Sequence, residues 1–111
     1  MATRATGAVS SPIGTSAAAV VTAGANEAVL ITTVIAYNAD TQARLLTLYQ
    51  VPSAGTAGSA NLFLKQTVYA GQSATIPVGA LIVANGASLQ AQADIGSVLN
   101  LSVNFYRTDQ Q

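Results

Sequence analysis

The chain contains no histidine, no cysteine and no tryptophan, and only 7% of its 111 residues are charged. Histidine is the side chain that most often acts as a general base near neutral pH, and cysteine supplies the thiolate nucleophile. Without cysteine the chain also has no disulfide framework and no thiolate metal ligand. The usual catalytic sets therefore cannot be assembled, and we expect a protein that is not an enzyme and holds no cofactor, metal or small-molecule substrate.

Charge is scarce and balanced, because four basic and four acidic residues give a formal net charge of zero. An average soluble domain has roughly 25% charged residues. The bases are too few and too scattered to neutralise a phosphate backbone, so we expect no nucleic-acid partner. The acidic residues lack the alternating pattern of a calcium-binding loop. The sequence does not exclude a pair of carboxylates that lie close together in space, as in glycosidases. A chain with so little charge to repel its neighbours tolerates dense assembly.

Long apolar runs are also missing. The longest strongly apolar stretch, Val29 to Tyr37, contains two threonines and falls far short of the roughly 20 residues that a membrane-spanning helix needs. The first residues lack the unbroken apolar region of a secretory signal. We therefore expect no membrane partner and no export. The length of 111 residues fits a single domain.

The residues that are present favour β-strands. Val98 to Arg107 alternates large apolar with small polar residues, and Ala87 to Ala93 does the same, which is typical of half-buried strands. The pair Asn85-Gly86 predicts a hairpin from Leu81 to Ala93. Two more strand pairs are predicted: Leu62–Tyr69 with Gln72–Pro77, and Ala28–Tyr37 with Leu45–Val51. The fold class predicted is all-β, an antiparallel, jelly-roll-like β-sandwich of about six to eight strands with an extended N-terminal arm.

Two of these strands have apolar residues on both faces. Regular alternation places Leu30 and Val34 on one face of the first, with Val29, Ile31 and Ile35 on the other. A two-layer sandwich buries only one face of each sheet. We therefore expect the second face to be covered either by the N-terminal segment or by another subunit.

The N-terminal segment differs in composition from the rest of the chain. Residues 1–26 are rich in small residues and are predicted to form the arm, and residues 27–111 the sandwich domain. A short helix from Thr15 to Gly24 is an alternative local structure. We hypothesise that the arm is held against a neighbouring subunit. The residues predicted to make protein contacts are Val9, Ile13, Val20, Val21, Val29, Ile31 and Ile35.

The sequence also predicts a long loop and the location of the aromatic side chains. Pro52 is predicted to end a strand, and Ser53 to Ala60 predict a long surface loop, which either packs closely on a partner or stays in solvent. The chain has four tyrosines and two phenylalanines, and most of them occur in strand patterns that favour packing in the core.

The succession of strands and turns resembles a family. The segment VIAYNADTQARLLTLYQVPSAGTAGSANLFL, followed by LKQTVYAGQSATIPVGALIVANGASLQAQADIGSVLNLSVNFYR, resembles small β-sandwich virion proteins of tailed bacteriophages. The shared features are a strand ending in Asn, an aliphatic strand closing in Val-Pro-Ser, a Gly/Ala/Ser loop and a strand followed by an Ala-Gly turn. The resemblance spans roughly Glu27 to Arg107.

The resemblance implies a structural protein of the virus particle. The role that it implies most directly is that of a capsid decoration, or cement, protein. Such a protein stabilises the shell by bridging major capsid subunits, and it would form a homo-oligomer. It would be assembled in the host cytoplasm and localise to the virion. A neck, tail or fibre-attachment adaptor is the nearest alternative. A secreted carbohydrate-binding or adhesin-like module is an alternative of a different class.

Overall fold

A computed structural model describes residues 4–78 and 81–109, and the side chains of residues 12–78 and 81–108. All regular secondary structure in these ranges is β-strand. Among the described residues, no helix is long and apolar enough to cross a membrane. The strands are β1 (Arg4–Pro12), β2 (Ala18–Thr22), β3 (Glu27–Asn38), β4 (Arg44–Val51), β5 (Leu62–Val68), β6 (Ser73–Ile76), β7 (Leu81–Ala84), β8 (Ser88–Ala93) and β9 (Leu99–Asp109).

The strands form two antiparallel sheets. Sheet A has the order β1-β9-β3, with β6 and β7 pairing in succession along the far edge of β3. Sheet B has the order β2-β8-β4-β5. Because β6 and β7 share one strand position, the sandwich has four positions in each sheet. The chain passes from one sheet to the other at almost every connection, as in a jelly roll. The predicted fold class is confirmed.

The core between the sheets is aliphatic. The alternation predicted for two strands is confirmed, because Leu99, Leu101 and Val103 of β9 and Leu89 and Ala91 of β8 are buried. Every buried apolar side chain in the described part of the chain is Ala, Val, Leu or Ile. The β-branched Val and Ile among them pack well on pleated sheet surfaces.

The aromatic side chains lie elsewhere, so the prediction that most of them pack in the core is wrong. Phe63, Tyr37, Tyr69 and Tyr106 are exposed, and Phe105 packs only partly against the core. The strands that carry these residues were predicted, but the face on which each ring lies depends on the register.

The face prediction for β3 is corrected by a β-bulge. The pairing of β3 with β9 shifts register between Ile31 and Thr33. One extra residue reverses the alternation, because side chains repeat with a period of two. Val29 and Ile31 therefore point inward together with Val34, and all three are fully buried.

The three predicted hairpins are wrong, although their turns exist. Asn85 and Gly86 have φ angles of 53° and 86°, and the Ala87 N–H donates to the carbonyl of Ala84 at 3.1 Å. This tight turn nevertheless leads from β7 in sheet A to β8 in sheet B. The connections β3 to β4 and β5 to β6 cross between the sheets in the same way.

A buried amide stabilises one of these crossings. Asn38 ends β3 with 0% of its surface exposed. Its Nδ2 donates to the carbonyls of Val68 and Gln42, each at 2.8 Å, and its Oδ1 accepts from the Asp40 N–H at 2.8 Å. One side chain thus joins the end of β3, the loop that follows it and the end of β5. Such a position requires both donors and an acceptor, which only an amide supplies.

The segment predicted as an arm contributes β1 and β2 between residues 4 and 22. β1 pairs with β9 at the edge of sheet A, and β2 pairs with β8 at the edge of sheet B. Residues 18–22 are a strand, so the alternative of a helix over Thr15–Gly24 is wrong. Ile13 and Val21 belong to the core cluster of this chain.

Candidate interaction surfaces

The outer face of sheet A carries exposed apolar side chains. Leu30 of β3 lies directly between Ile82 of β7 and Tyr106 of β9 in the sheet register. Ile82 is 59% exposed and Tyr106 44%. Side chains directly opposite each other on one face have Cβ atoms about 5 Å apart, so these three form a continuous row across the sheet.

Further along β3, the same face carries Ile35 and Tyr37, which are 37% and 43% exposed. Between the two apolar groups lies a polar zone, where the Thr32 hydroxyl donates to the carbonyl of Asn104 at 3.2 Å. We call this whole surface, with Leu30, Ile35, Tyr37, Ile82 and Tyr106, the sheet A face. The N-terminal strands do not cover it, because β1 and β2 lie at the edges of the sheets.

Charged residues are confined to one end of sheet A. The sequence has none in residues 28–38, 73–84 and 99–106, which make up most of β3, β6, β7 and β9. Arg4, Glu27, Arg107 and Asp109 all lie at the end where β3 begins and β9 finishes, since Glu27 pairs with Asp109 and Arg4 with Thr108. The sheet A face is therefore uncharged, which lowers the cost of removing water from it.

At this end of the sheet, Arg107 is anchored to two neighbours. Its Nη1 forms an ion pair with Glu27 Oε1 and donates to the carbonyl of Thr22 at 3.2 Å. The Gly24 N–H also donates to Glu27 Oε1, at 2.7 Å. This backbone hydrogen bond is the largest cause of a lowered pKa of Glu27, and Arg107 lowers the pKa further, while partial desolvation opposes both.

The opposite end of the sandwich has a second charged group. Arg44 donates to Asp40 Oδ2 at 2.6 Å and lies 4.0 Å from Asp94. The hydrogen bond from Arg44 is the main cause that lowers the pKa of Asp40, followed by the Thr41 N–H. In the part of the chain that the structure describes, no group of three or more His, Cys, Asp or Glu could hold a metal ion. Both charged groups fix loops and strand ends.

The outer face of sheet B contains a shallow groove of about 240 Å³. Thr47 of the central strand β4 forms its floor, between Gln92 of β8 and Lys65 of β5 in the sheet register. Tyr49 closes one side and donates from its hydroxyl to Gln92 Oε1 at 2.9 Å. A short side chain flanked by longer ones makes the concavity. The groove presents an aromatic ring, an amide, a hydroxyl and an ammonium group.

The long loop between β4 and β5 is ordered by one amide. Asn61 Oδ1 accepts from the Gly58 N–H, and its Nδ2 donates to the carbonyl of Thr56, each at 2.9 Å. Ala54 has a φ of 60°, and the Gly55 N–H donates to the carbonyl of Pro52 in a tight turn. Most of its residues are exposed, so the loop offers backbone and small side chains rather than reactive groups.

The predicted contact residues lie mostly inside the molecule. Ile13, Val21, Val29 and Ile31 are at most 4% exposed and pack in the core of this chain, so their side chains are not accessible to a partner. The interface prediction does not hold for these four. Val20 is partly buried against the same core. Val9 lies in β1 opposite Val103, and its side chain is outside the described residues.

Among the predicted residues whose side chains the structure describes, Ile35 alone is exposed on the sheet A face. The prediction missed Leu30, Ile82 and Tyr106. Tyr106 could have been found, because it follows Asn100, Ser102 and Asn104 on the polar face of an alternating strand. No signal in the sequence marked Ile82, whose partner strand is set by the tertiary fold.

Comparisons with known proteins support the fold alone. No protein-family model matches the chain, and no curated protein matches it in sequence. A solved structure of a Bacillus endospore appendage, described as belonging to a novel family of disulfide-linked pili, is similar with a TM-score of 0.59. The identity is 12%, and the match covers 99% of this chain and 89% of that one. A jelly-roll sandwich that includes the N-terminal strands is therefore shared with a protein of different sequence.

Proposed function

We propose that the protein is a structural subunit of a tailed-bacteriophage virion, a decoration protein that attaches to the major capsid protein and stabilises the shell. The observation that carries this proposal is the uncharged sheet A face with its exposed apolar row. The sequence resemblance from Glu27 to Arg107 supports the choice of the major capsid protein as the partner. The proposed role includes no catalytic activity.

The exposed area of the sheet A face limits the free energy that its burial can contribute. A tyrosine presents roughly 200 Å², so covering the 44% exposed Tyr106 removes about 90 Å² from water. At about 25 cal/mol per Å² this contributes about 2 kcal/mol before the costs of association. Ile82, Ile35 and Tyr37 add contributions of similar kind. Binding only to the intact shell then lowers the free energy of that state relative to the ruptured one.

The fold likeness to a pilus protein suggests another kind of assembly. That protein is described as belonging to disulfide-linked pili. The present chain has no cysteine, so a disulfide link between subunits is not available to it. The decoration proposal instead rests on non-covalent contacts through the sheet A face.

The proposal is tested by adding the purified protein back to particles that lack it. We expect the protein to sediment with the particles and to raise the temperature at which they rupture. Tyr106→Glu places a carboxylate in the proposed contact and should weaken binding by at least about 30-fold, which corresponds to the 2 kcal/mol above. Tyr69→Glu is the matched control, because Tyr69 is 63% exposed in the β5–β6 turn.

Equal binding of the Tyr106→Glu and Tyr69→Glu variants would refute the sheet A face as the contact. Particles whose rupture temperature does not change on addition would contradict cementing and favour the neck, tail or fibre-attachment role.

Carbohydrate binding is a second candidate, favoured by the groove on sheet B. Tyr49, Gln92 and Lys65 offer a ring and several hydrogen-bonding groups at one place, and the groove is large enough for one sugar ring but not for an extended ligand. Saturation-transfer NMR with a panel of monosaccharides tests it. A signal that Tyr49→Ala abolishes supports this function, and the absence of any signal removes it.

A further inference from the structure

The four free edges of the sandwich are not equally protected. Edge strands present unpaired backbone N–H and C=O groups, and natural proteins block them with short strands, bulges, charges or proline. Within the described residues the edges are β1 and β6/β7 in sheet A, and β2 and β5 in sheet B. The four edges differ in the features that would block another strand.

Three edges carry protection. β2 has only five residues and a register shift between Ala19 and Val21. β5 has the exposed Lys65 at its centre and a register shift at its start. The edge made by β6 and β7 consists of two strands of four residues, with Pro77 in the break between them. Each of these features disfavours the addition of another strand.

β1 carries none of this protection. It has nine residues, and its pairing with β9 runs from Arg4 to Pro12 without any shift. Arg4 is its only charged residue and stands at its first position; Pro12, its only proline, stands at its last. Seven consecutive uncharged residues between them form a regular strand whose outer edge no described strand covers.

We propose that β1 pairs antiparallel with β1 of a second copy of this chain, about a two-fold axis, and continues sheet A across a homodimer. A second copy fits because it supplies a strand of equal length and the same lack of charge. A two-fold centred on Ala8 places Arg4 opposite Pro12 of the other copy, which keeps the two arginines at opposite ends of the interface. Thr6 then stands opposite Ser10, and Ala8 opposite Ala8.

The dimer would also extend the sheet A face. Thr6 lies next to Tyr106 in the register, in the same row as Leu30 and Ile82. Pairing through β1 therefore places two apolar rows on one continuous ten-strand surface. This inference deepens the homo-oligomer part of the proposed function but does not depend on the shell, so the two can fail separately.

The absence of cysteine gives a direct test. In an antiparallel pair, opposite Cα atoms are about 4.5–5.5 Å apart, which is within disulfide range. Ala8→Cys should therefore form a covalent dimer of twice 11.1 kDa on mild oxidation. Thr75→Cys on the exposed, interrupted β6/β7 edge is the matched control and should remain monomeric.

Sedimentation velocity over a concentration series gives an independent readout. We expect the unmodified chain to dimerise and Ala8→Lys to weaken the dimer by at least tenfold, because the two-fold places the new lysines face to face. Thr75→Lys should dimerise normally. Thermal melts of both variants check that the fold is retained, and the cysteine pair remains informative if Ala8→Lys does not fold.

A chain that sediments as a monomer at every concentration would overturn the proposal. Equal crosslinking of the Ala8→Cys and Thr75→Cys variants would overturn it as well. Normal binding of a monomeric chain to virus particles would reject the β1 interface and leave the decoration proposal standing.

Discussion

Replacing Asn38 by alanine removes three hydrogen bonds from a fully buried position. The carbonyl of Val68 lies in a buried part of the structure and would lose the Asn38 donor. An unsatisfied buried group costs about 1–3 kcal/mol, and the missing amide leaves a small cavity in addition. The Gln42 carbonyl and Asp40 N–H are less buried and can bond to water. We expect a total loss of about 2–4 kcal/mol in the free energy of unfolding.

Urea unfolding followed by circular dichroism measures this loss. Asn100→Ala is the matched control, because Asn100 is exposed in β9 and makes no described hydrogen bond through its side chain. Its cost should stay within about 0.5 kcal/mol. For a domain of this size, the Asn38→Ala loss corresponds to a melting temperature lower by about 10–20 °C. If the two variants have equal stability, the buried amide does not hold the sheet crossing.

Two further predictions concern the charged end of sheet A and the β7–β8 turn. The pKa of Glu27 in the folded protein lies below its ordinary value of 4.5, so its stabilisation is present above that pH and is lost as the pH falls through the lower folded value. Glu27→Gln should therefore destabilise the protein near neutral pH and cost progressively less in acid, in urea titrations at several pH values; a cost independent of pH would contradict this. Gly86→Ala should cost about 1–3 kcal/mol, because the residue has a φ of 86° and the new Cβ would lie 2.8 Å from Ser53 Oγ. Gly96→Ala is its control, since nothing lies within 4 Å of that Cβ and its φ is not positive, and equal melting temperatures for the two would refute the argument.

Local patterns predicted the strands from β3 to β9 but missed β1 and β2, which lie in the segment predicted as an arm. The alternation in β8 and β9 identified both the strands and their buried faces, because the extra residue at each register shift lies in the partner strand, β2 or β3. In β3, regular alternation placed Val29 and Ile31 on the face opposite Val34, but one extra residue puts all three on the same face. A β-bulge depends on the partner strand, and nothing in the run Leu30 to Val34 announces it.

Connectivity was harder to predict than strands. Asn85-Gly86 predicts a tight turn from its own backbone preferences, and the turn is present. Whether the next strand returns to the same sheet or crosses to the other depends on the packing of the whole sandwich. In a jelly roll most short turns cross, so sequence neighbours are rarely sheet neighbours.

The candidate surface could be predicted only in part. Doubly apolar strands correctly indicated that a second apolar face exists, and Ile35 lies on it. Because of the β-bulge in β3, Val29 and Ile31, which were predicted to make contacts, are buried in the core. Leu30, which was not predicted, lies on the outer face instead. Ile82 joins the face through pairing with β3, which is a long-range contact and leaves no local pattern.

The copy number in purified virus particles tests the central proposal most directly. Quantitative mass spectrometry of whole particles measures the ratio of this chain to the major capsid protein. A decoration role predicts a fixed ratio of the same order as that of the shell protein. A ratio of only a few copies per particle, or absence of the chain from the particles, would contradict it.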